Sequence, residues 1–208
     1  MRREFHVRFC EGLGVRFPRA TRLVIVCANE RDARRISAVL PKRLDRYGLT
    51  INAEKTRLVD FRPGPRPPSG GRGGGQSFDL LGLTHYWGRS RKGRWIVKRK
   101  TAKGRFQRTL KRVGQWLRRN LHRPVREQQQ RLSAMLKGHD AYFGITGNSA
   151  SLQRLRWEIL CLWRRWLNRR SNSSTMTWDI FNRLLGRYPL PPARVVHSIY
   201  RRAAKTSS

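Results

Sequence analysis

The chain has 208 residues, with 47 Lys and Arg against 12 Asp and Glu, and a formal net charge of +35. Such an imbalance repels itself unless a polyanion neutralises it, which points to phosphate backbones and to binding that weakens steeply with salt. An apolar share of 38%, with 10% aromatics, excludes a purely disordered basic tail, and no run of about 18 apolar residues offers a membrane span, so no membrane partner is expected.

Residues 1–22 are arginine-rich and show no clear period. Leu23 to Cys27 is a short continuous apolar run and reads as a buried strand. Asn29 is a candidate N-cap with Asp32 three residues on, and Ala33, Ile36, Leu40 and Leu44 recur at helical spacing. Pro41 is expected to kink this helix near Leu40, and Gly48 to stop it. Leu49 to Asn52 and Arg57 to Phe61 read as short strands. Residues 63–76 are a Pro/Gly-rich stretch without a Gly-Lys-Ser/Thr ending, hence a flexible linker rather than a phosphate-binding loop. Phe78 to Thr84 and Arg94 to Lys98 read as further strands, with a turn at Ser90-Arg91-Lys92-Gly93 between them. Gly82 then falls inside a strand, as a bulge or a point of close backbone approach.

From Thr101 the pattern turns helical. Phe106, Leu110, Val113, Leu117 and Leu121 fall within an arc of roughly 80° at 100° per residue. Arg105, Arg108, Lys111, Arg112, Arg118 and Arg119 project to the other side. Residues 89–131 hold 17 Lys and Arg and a single acid, Glu127, so the electrostatic centre of the chain lies here. A second helix is expected from about Glu127 to Lys137, ended by Gly138. A third follows Ser149, with Leu152, Leu155, Ile159, Leu162, Trp163 and Trp166 on one face and Trp157 off it. A short fourth is capped by Thr177, turns Phe181, Leu184 and Leu185 inward, and ends at Pro189-Leu190-Pro191-Pro192.

Cys10, Cys27 and Cys161 are odd in number and widely spaced, so neither a disulfide framework nor a zinc spacing is read from them, and a reducing compartment is expected. The N-terminus lacks an apolar stretch of signal length.

Glu54-Lys55-Thr56-Arg57-Leu58-Val59 and Phe78-Asp79-Leu80-Leu81-Gly82-Leu83-Thr84-His85-Tyr86-Trp87-Gly88 resemble the late palm of bacterial group II intron reverse transcriptase/maturases. Gly138-His139-Asp140-Ala141-Tyr142-Phe143-Gly144-Ile145-Thr146-Gly147-Asn148 is similar to the signature of their maturase-specific domain. The resemblance covers about Leu23 to Ser198. It implies a palm remnant, then a helical thumb and maturase region that binds intron RNA and helps it fold for splicing. One departure is decisive for chemistry. Where the family carries Tyr-Ala-Asp-Asp before the strand that matches Leu23 to Cys27, this chain reads Arg19-Ala20-Thr21-Arg22. Thr21 and Arg22 occupy the positions of the aspartates, and two-metal phosphoryl transfer needs carboxylates to hold Mg²⁺. No catalytic residue, no metal site and no cofactor are therefore expected; magnesium belongs to the intact family enzyme. Residues 1–22 do not match, which suits a truncated or frame-shifted gene.

The expected fold is α+β. A partial reverse-transcriptase palm of short antiparallel strands plus one helix spans 23–100, after an unmatched basic stretch at 1–22. An α-helical thumb/maturase domain spans 101–198, and a basic tail 199–208. The expected partner is RNA, group II intron RNA by the resemblance; charge alone does not distinguish it from DNA. The expected setting is the bacterial cytoplasm. Candidate RNA contacts are Lys55, Lys98, Arg99, Lys100, Lys103, Arg105, Arg108, Lys111, Arg112, Arg118 and Arg119, with His139 and Tyr142. For His139 the bare pattern favours a packed or RNA-contacting ring over a metal ligand, and Tyr142 and Phe143 suit base stacking or the core equally. Two other functions fit the same residues: an RNA-directed DNA polymerase completed by a second chain, and a general nucleic-acid-binding protein.

Overall fold

The structure, a computed structural model, describes residues 6–11, 13–14, 22–53, 56–63, 77–170 and 175–197. It is α+β, with eight short strands and five helices among the described residues. The chain divides into two compact units, Met1–Phe78 with His85–Lys98, and Asp79–Thr84 with Arg99–Ser208.

In the first unit, β1 (His6–Glu11) is the middle strand of an antiparallel sheet, between β3 (Arg22–Cys27) and β5 (Thr56–Asp60). Residues 1–22 show no clear period, so this strand is a departure from the expected unmatched basic stretch. Its backbone register runs from His6 opposite Cys27 to Glu11 opposite Arg22. A two-stranded ladder pairs β2 (Leu13–Gly14) with β4 (Thr50–Ile51). Between β3 and β4 lies α1 (Glu30–Asp45), and Asn29 caps it as expected: its side chain accepts from the Asp32 N–H at 2.8 Å. The helix continues through Pro41 for a further turn, and Gly48 follows it at φ +66°. Acids in the first turn and Lys42 and Arg43 in the last suit the helix dipole. Val59, Phe61 and Phe78 are buried. The Phe61 ring lies 4.7 Å from Phe78 and 5.5 Å from Trp87, whose indole N–H donates to the Phe61 carbonyl at 3.2 Å.

The expected strand from Phe78 to Thr84 is in fact two strands and a turn. β6 (Phe78–Leu80) and β7 (Leu83–Arg89) flank Leu81 at φ +51° and Gly82 at φ +78°. Two consecutive left-handed residues make a tight hairpin turn, and glycine adopts that geometry without a Cβ penalty. Gly82 is therefore in a turn, not inside a strand. A tight turn at Ser90–Gly93 leads on to β8 (Trp95–Thr101), closing the order β6-β7-β8. The division between the units passes through these three strands.

The second unit is built on α2 (Lys103–Arg119), α3 (Val125–Phe143), α4 (Ser149–Leu167) and α5 (Trp178–Arg187). Val113 and Leu117 of the apolar stripe are buried, Phe106 and Leu110 pack half-buried against the same core, and Leu121 lies beyond the helix end. Leu132 and Leu136 meet Leu155, Ile159, Trp163 and Phe181 in one cluster. Gly138 does not end α3. The helix runs five residues past it, because Leu136, His139 and Asp140 are buried and hold that turn in place. Such packing outweighs the roughly 1 kcal/mol that a helical glycine costs relative to alanine.

Two buried amides join the helices. Gln128 is 1% exposed. Its Oε1 accepts from the Trp163 indole at 2.9 Å, and its Nε2 donates to the carbonyls of Asn120, Leu121 and Arg123 at 3.1–3.3 Å. Asn148 is fully buried; its Oδ1 accepts from the Thr101 N–H at 2.8 Å, and its Nδ2 donates to Thr101 Oγ1 and the Phe143 carbonyl. At Gly144 a Cβ would collide with the carbonyls of Asp140 and Arg194. The segment after Pro192 docks there: Val196 and His197 donate their N–H groups to the Gly144 carbonyl at 2.7 Å.

Replacing Asn148 with Ala strands a buried N–H and a buried carbonyl, and should cost about 2–4 kcal/mol in denaturant unfolding. Leu117→Ala should cost about 2–5 kcal/mol and half-buried Leu110→Ala clearly less. Equal losses at the two leucines would contradict the helix orientation described above.

Candidate nucleic-acid interface

Helical periodicity gives α2 two faces. The apolar stripe is covered by α3, α4 and α5, while Arg105, Arg108, Thr109, Arg112, Gln115 and Arg119 fall within about 120° of one another on a second face. Across from that face, α3 presents Met135, Gly138, His139 and Tyr142 at i, i+3, i+4 and i+7, on one side of its own axis. The two helices so form the walls of a groove of about 750 Å³, with Lys111 and Phe143 also lining it. The groove continues along Arg112, Gln115, Trp116, Arg119 and Arg131.

The cations here differ from several others in the same unit. Arg156 donates to the carbonyls of Leu190 and Pro191, Arg164 to that of Met176, and Arg170 to those of His122 and Arg123. Arg123 and Arg154 face carboxylates at i+4. By contrast, Arg105, Arg108, Lys111, Arg112, Arg119 and Arg131 neither donate a side-chain hydrogen bond nor meet a carboxylate among the described residues. Their charges are fully available to an external anion.

His139 lies in the groove wall but is only 7% exposed. Its ring sits 4.6 Å from Phe143, and both ring nitrogens lack a hydrogen-bond partner. The nearest carboxylate oxygen, Asp140 Oδ1, is 3.9 Å from Nδ1, beyond hydrogen-bond reach. Burial, and secondarily the Arg112 guanidinium, hold its pKa down at about 4, so the ring is neutral at neutral pH. Burial pushes the neighbouring Asp140 carboxyl up, against the opposing effect of the Arg194 N–H it accepts at 3.0 Å.

Tyr142 is 56% exposed, and its ring is held in place. Its hydroxyl donates to the Leu81 carbonyl at 3.1 Å, and it meets Phe143 edge to face at 4.7 Å. Gly82, in the same turn as Leu81, is buried under the Arg105 stem and the Phe143 ring.

The groove thus brings together Arg105, Arg108, Lys111, Arg112, His139 and Tyr142, with Arg119 on its continuation. Arg118 is exposed on α2 outside the lining, Lys103 is exposed at its start, and Arg99 and Lys100 lie at the end of β8. Lys98 lies along Gly88 in the first unit. Lys55 and Thr21 lie outside the described residues, and Arg22 begins β3. Sequence reasoning missed Thr109, Gln115, Arg131 and Met135 as lining, and offered Phe143 only as a stacking or core ring. Met135 and Arg131 carried a signal, their i, i+4 spacing with His139, but the expected helix end at Gly138 cut it short.

No protein-family model matches the chain, and no curated protein matches it. Among the described residues, no helix is long and apolar enough to cross a membrane, and no three His, Cys, Asp or Glu side chains come together as a metal site would need.

A folded state that keeps His139 unprotonated is destabilised once the unfolded chain takes up that proton. Stability should therefore fall as pH drops from about 6.5 towards 4, by at most about 3 kcal/mol, with the raised Asp140 pKa opposing it. Denaturant unfolding across that range checks this. His139→Gln should remove the loss; the same loss in that variant would show that His139 is not its source.

Proposed function

We propose that this protein binds structured RNA, of the group II intron kind, through the α2–α3 groove, as a maturase-type chain without polymerase activity of its own. The observation that carries the reading is the row of unpartnered cations on one face of α2, joined by Arg131 from α3. A charged face usually pairs internally or stays scattered. Here the partners are spent elsewhere in the unit and the groove is left cationic. Phosphates entering it would displace condensed counterions, and guanidinium groups meet phosphate oxygens two at a time.

The choice of RNA, and of intron RNA, rests on the resemblance carried by Glu54 to Val59, Phe78 to Gly88 and Gly138 to Asn148. On that reading the sheet unit corresponds to part of a palm, and the helical unit to a thumb and maturase region. The magnesium ions of the family's polymerase reaction do not fit the positions where they would sit. Thr21 and Arg22 supply no carboxylate oxygen there, and an arginine repels a cation.

Arg108, Lys111 and Arg112 changed together to Gln should weaken RNA binding and flatten its dependence on salt, by about 0.7–0.9 in the log–log slope per lost phosphate contact. Changing Arg126, Arg165 and Arg183, which are exposed elsewhere, removes the same charge and should do much less. Equal effects from the two triples would show that total charge, not the groove, binds RNA. Folded intron RNA should compete better than duplex DNA at matched salt; equal affinities would leave a general nucleic-acid-binding protein. Primer extension with template and Mg²⁺ should give no product, and DNA synthesis by this chain alone would overturn the inactive-polymerase reading.

A further inference from the structure

The groove has two properties that phosphate binding leaves unused. The first is its size and lining. About 750 Å³ is the capacity of a small-molecule site, far more than one phosphate group fills. Besides its cations, the lining includes Met135, Tyr142 and Phe143, side chains suited to a flat ring rather than to an anion. The second is Tyr142, an exposed ring in that lining whose position is already fixed.

We propose that the groove receives one unpaired nucleotide from a bulge or loop of the bound RNA. The base lies over the Tyr142 ring, and its phosphate sits among Arg105, Arg108 and Arg112. Tyr142 is suited to this because its hydroxyl is already taken by the Leu81 carbonyl and its ring is braced by Phe143, so little freedom is lost when a base stacks on it. A Cβ at Gly138 would meet nothing within 4 Å, so a larger side chain there has open space to extend into. This inference rests on the RNA-binding reading above, and it adds the prediction that the protein prefers an interrupted helix to a perfect one.

The test uses the full chain and two RNA hairpins that differ by a single bulged 2-aminopurine, a base whose fluorescence falls when it stacks. The bulged hairpin should bind about tenfold more tightly, the order expected for stacking one base, and its fluorescence should be quenched on binding. Gly138→Leu fills the groove without removing a charge. It should abolish the preference and the quenching, so that the two hairpins bind with equal affinity. Tyr142→Ala, at a largely exposed position, should reduce both and covers the case in which Gly138→Leu does not fold. Equal affinity for the two hairpins without quenching would overturn the nucleotide site and leave RNA binding standing. Binding to neither hairpin would overturn RNA binding itself. Free 2-aminopurine nucleotide binding as tightly as the bulged RNA would overturn the RNA segment as the occupant.

Discussion

One buried amide sets the geometry on which the groove depends. Gln128 is enclosed in an otherwise apolar core, and its oxygen takes the Trp163 indole proton while its nitrogen faces three carbonyls of the α2–α3 connection. The nitrogen has two protons for those three acceptors, so they are shared. The connection between α2 and α3 is thereby fixed to α4, the helix that covers their apolar sides. At the other end of α3, Asn148 fixes Phe143 to Thr101, just ahead of α2. Both ends of α3 are thus tied by groups that would cost free energy if unpaired, and these ties set α2 and α3 side by side along the groove.

The charge distribution follows from the same arrangement. Few acids are available in the helical unit, and three arginines find carbonyl partners instead, at helix ends and along the segment after Leu190. Among the cations left unpaired, Arg105, Arg108, Arg112 and Arg119 line up on the side of α2 turned away from the core. Like charges at i, i+3 and i+4 repel and weaken a helix, so packing of Val113 and Leu117 must offset that repulsion in the free protein. A bound polyanion removes the repulsion, which makes binding and stability rise together on the RNA-binding reading.

The stretch from Gly138 to Asn148 divides by physical role. Asp140 accepts from Arg194, Gly144 gives room to the incoming C-terminal segment, Gly147 turns the chain at φ +90°, and Asn148 is the buried tie. These positions hold the unit together. Gly138, His139 and Tyr142, on the intervening face of the helix, line the groove instead. A motif that reads as one signature thus serves stability at its end and the groove at its beginning.

Much of this was legible in the residues alone. The charge imbalance, the apolar stripe of α2, the Asn29 and Thr177 caps and the exposure of Trp157 all follow from composition and local periodicity, which depend on near neighbours in the chain. The α+β class followed too. The rest was decided by contacts between distant residues. Residues 6–11 form the middle of a sheet although the alternation of Val7 and Phe9 with His6 and Arg8 is too short to read alone, because a strand paired on both sides is held by backbone ladders. Gly138 reads as a stop locally and is carried through by burial on either side of it. The groove belongs to neither helix: two sequences each specify a face, and only their packing, fixed by Gln128 and Asn148, sets those faces opposite each other.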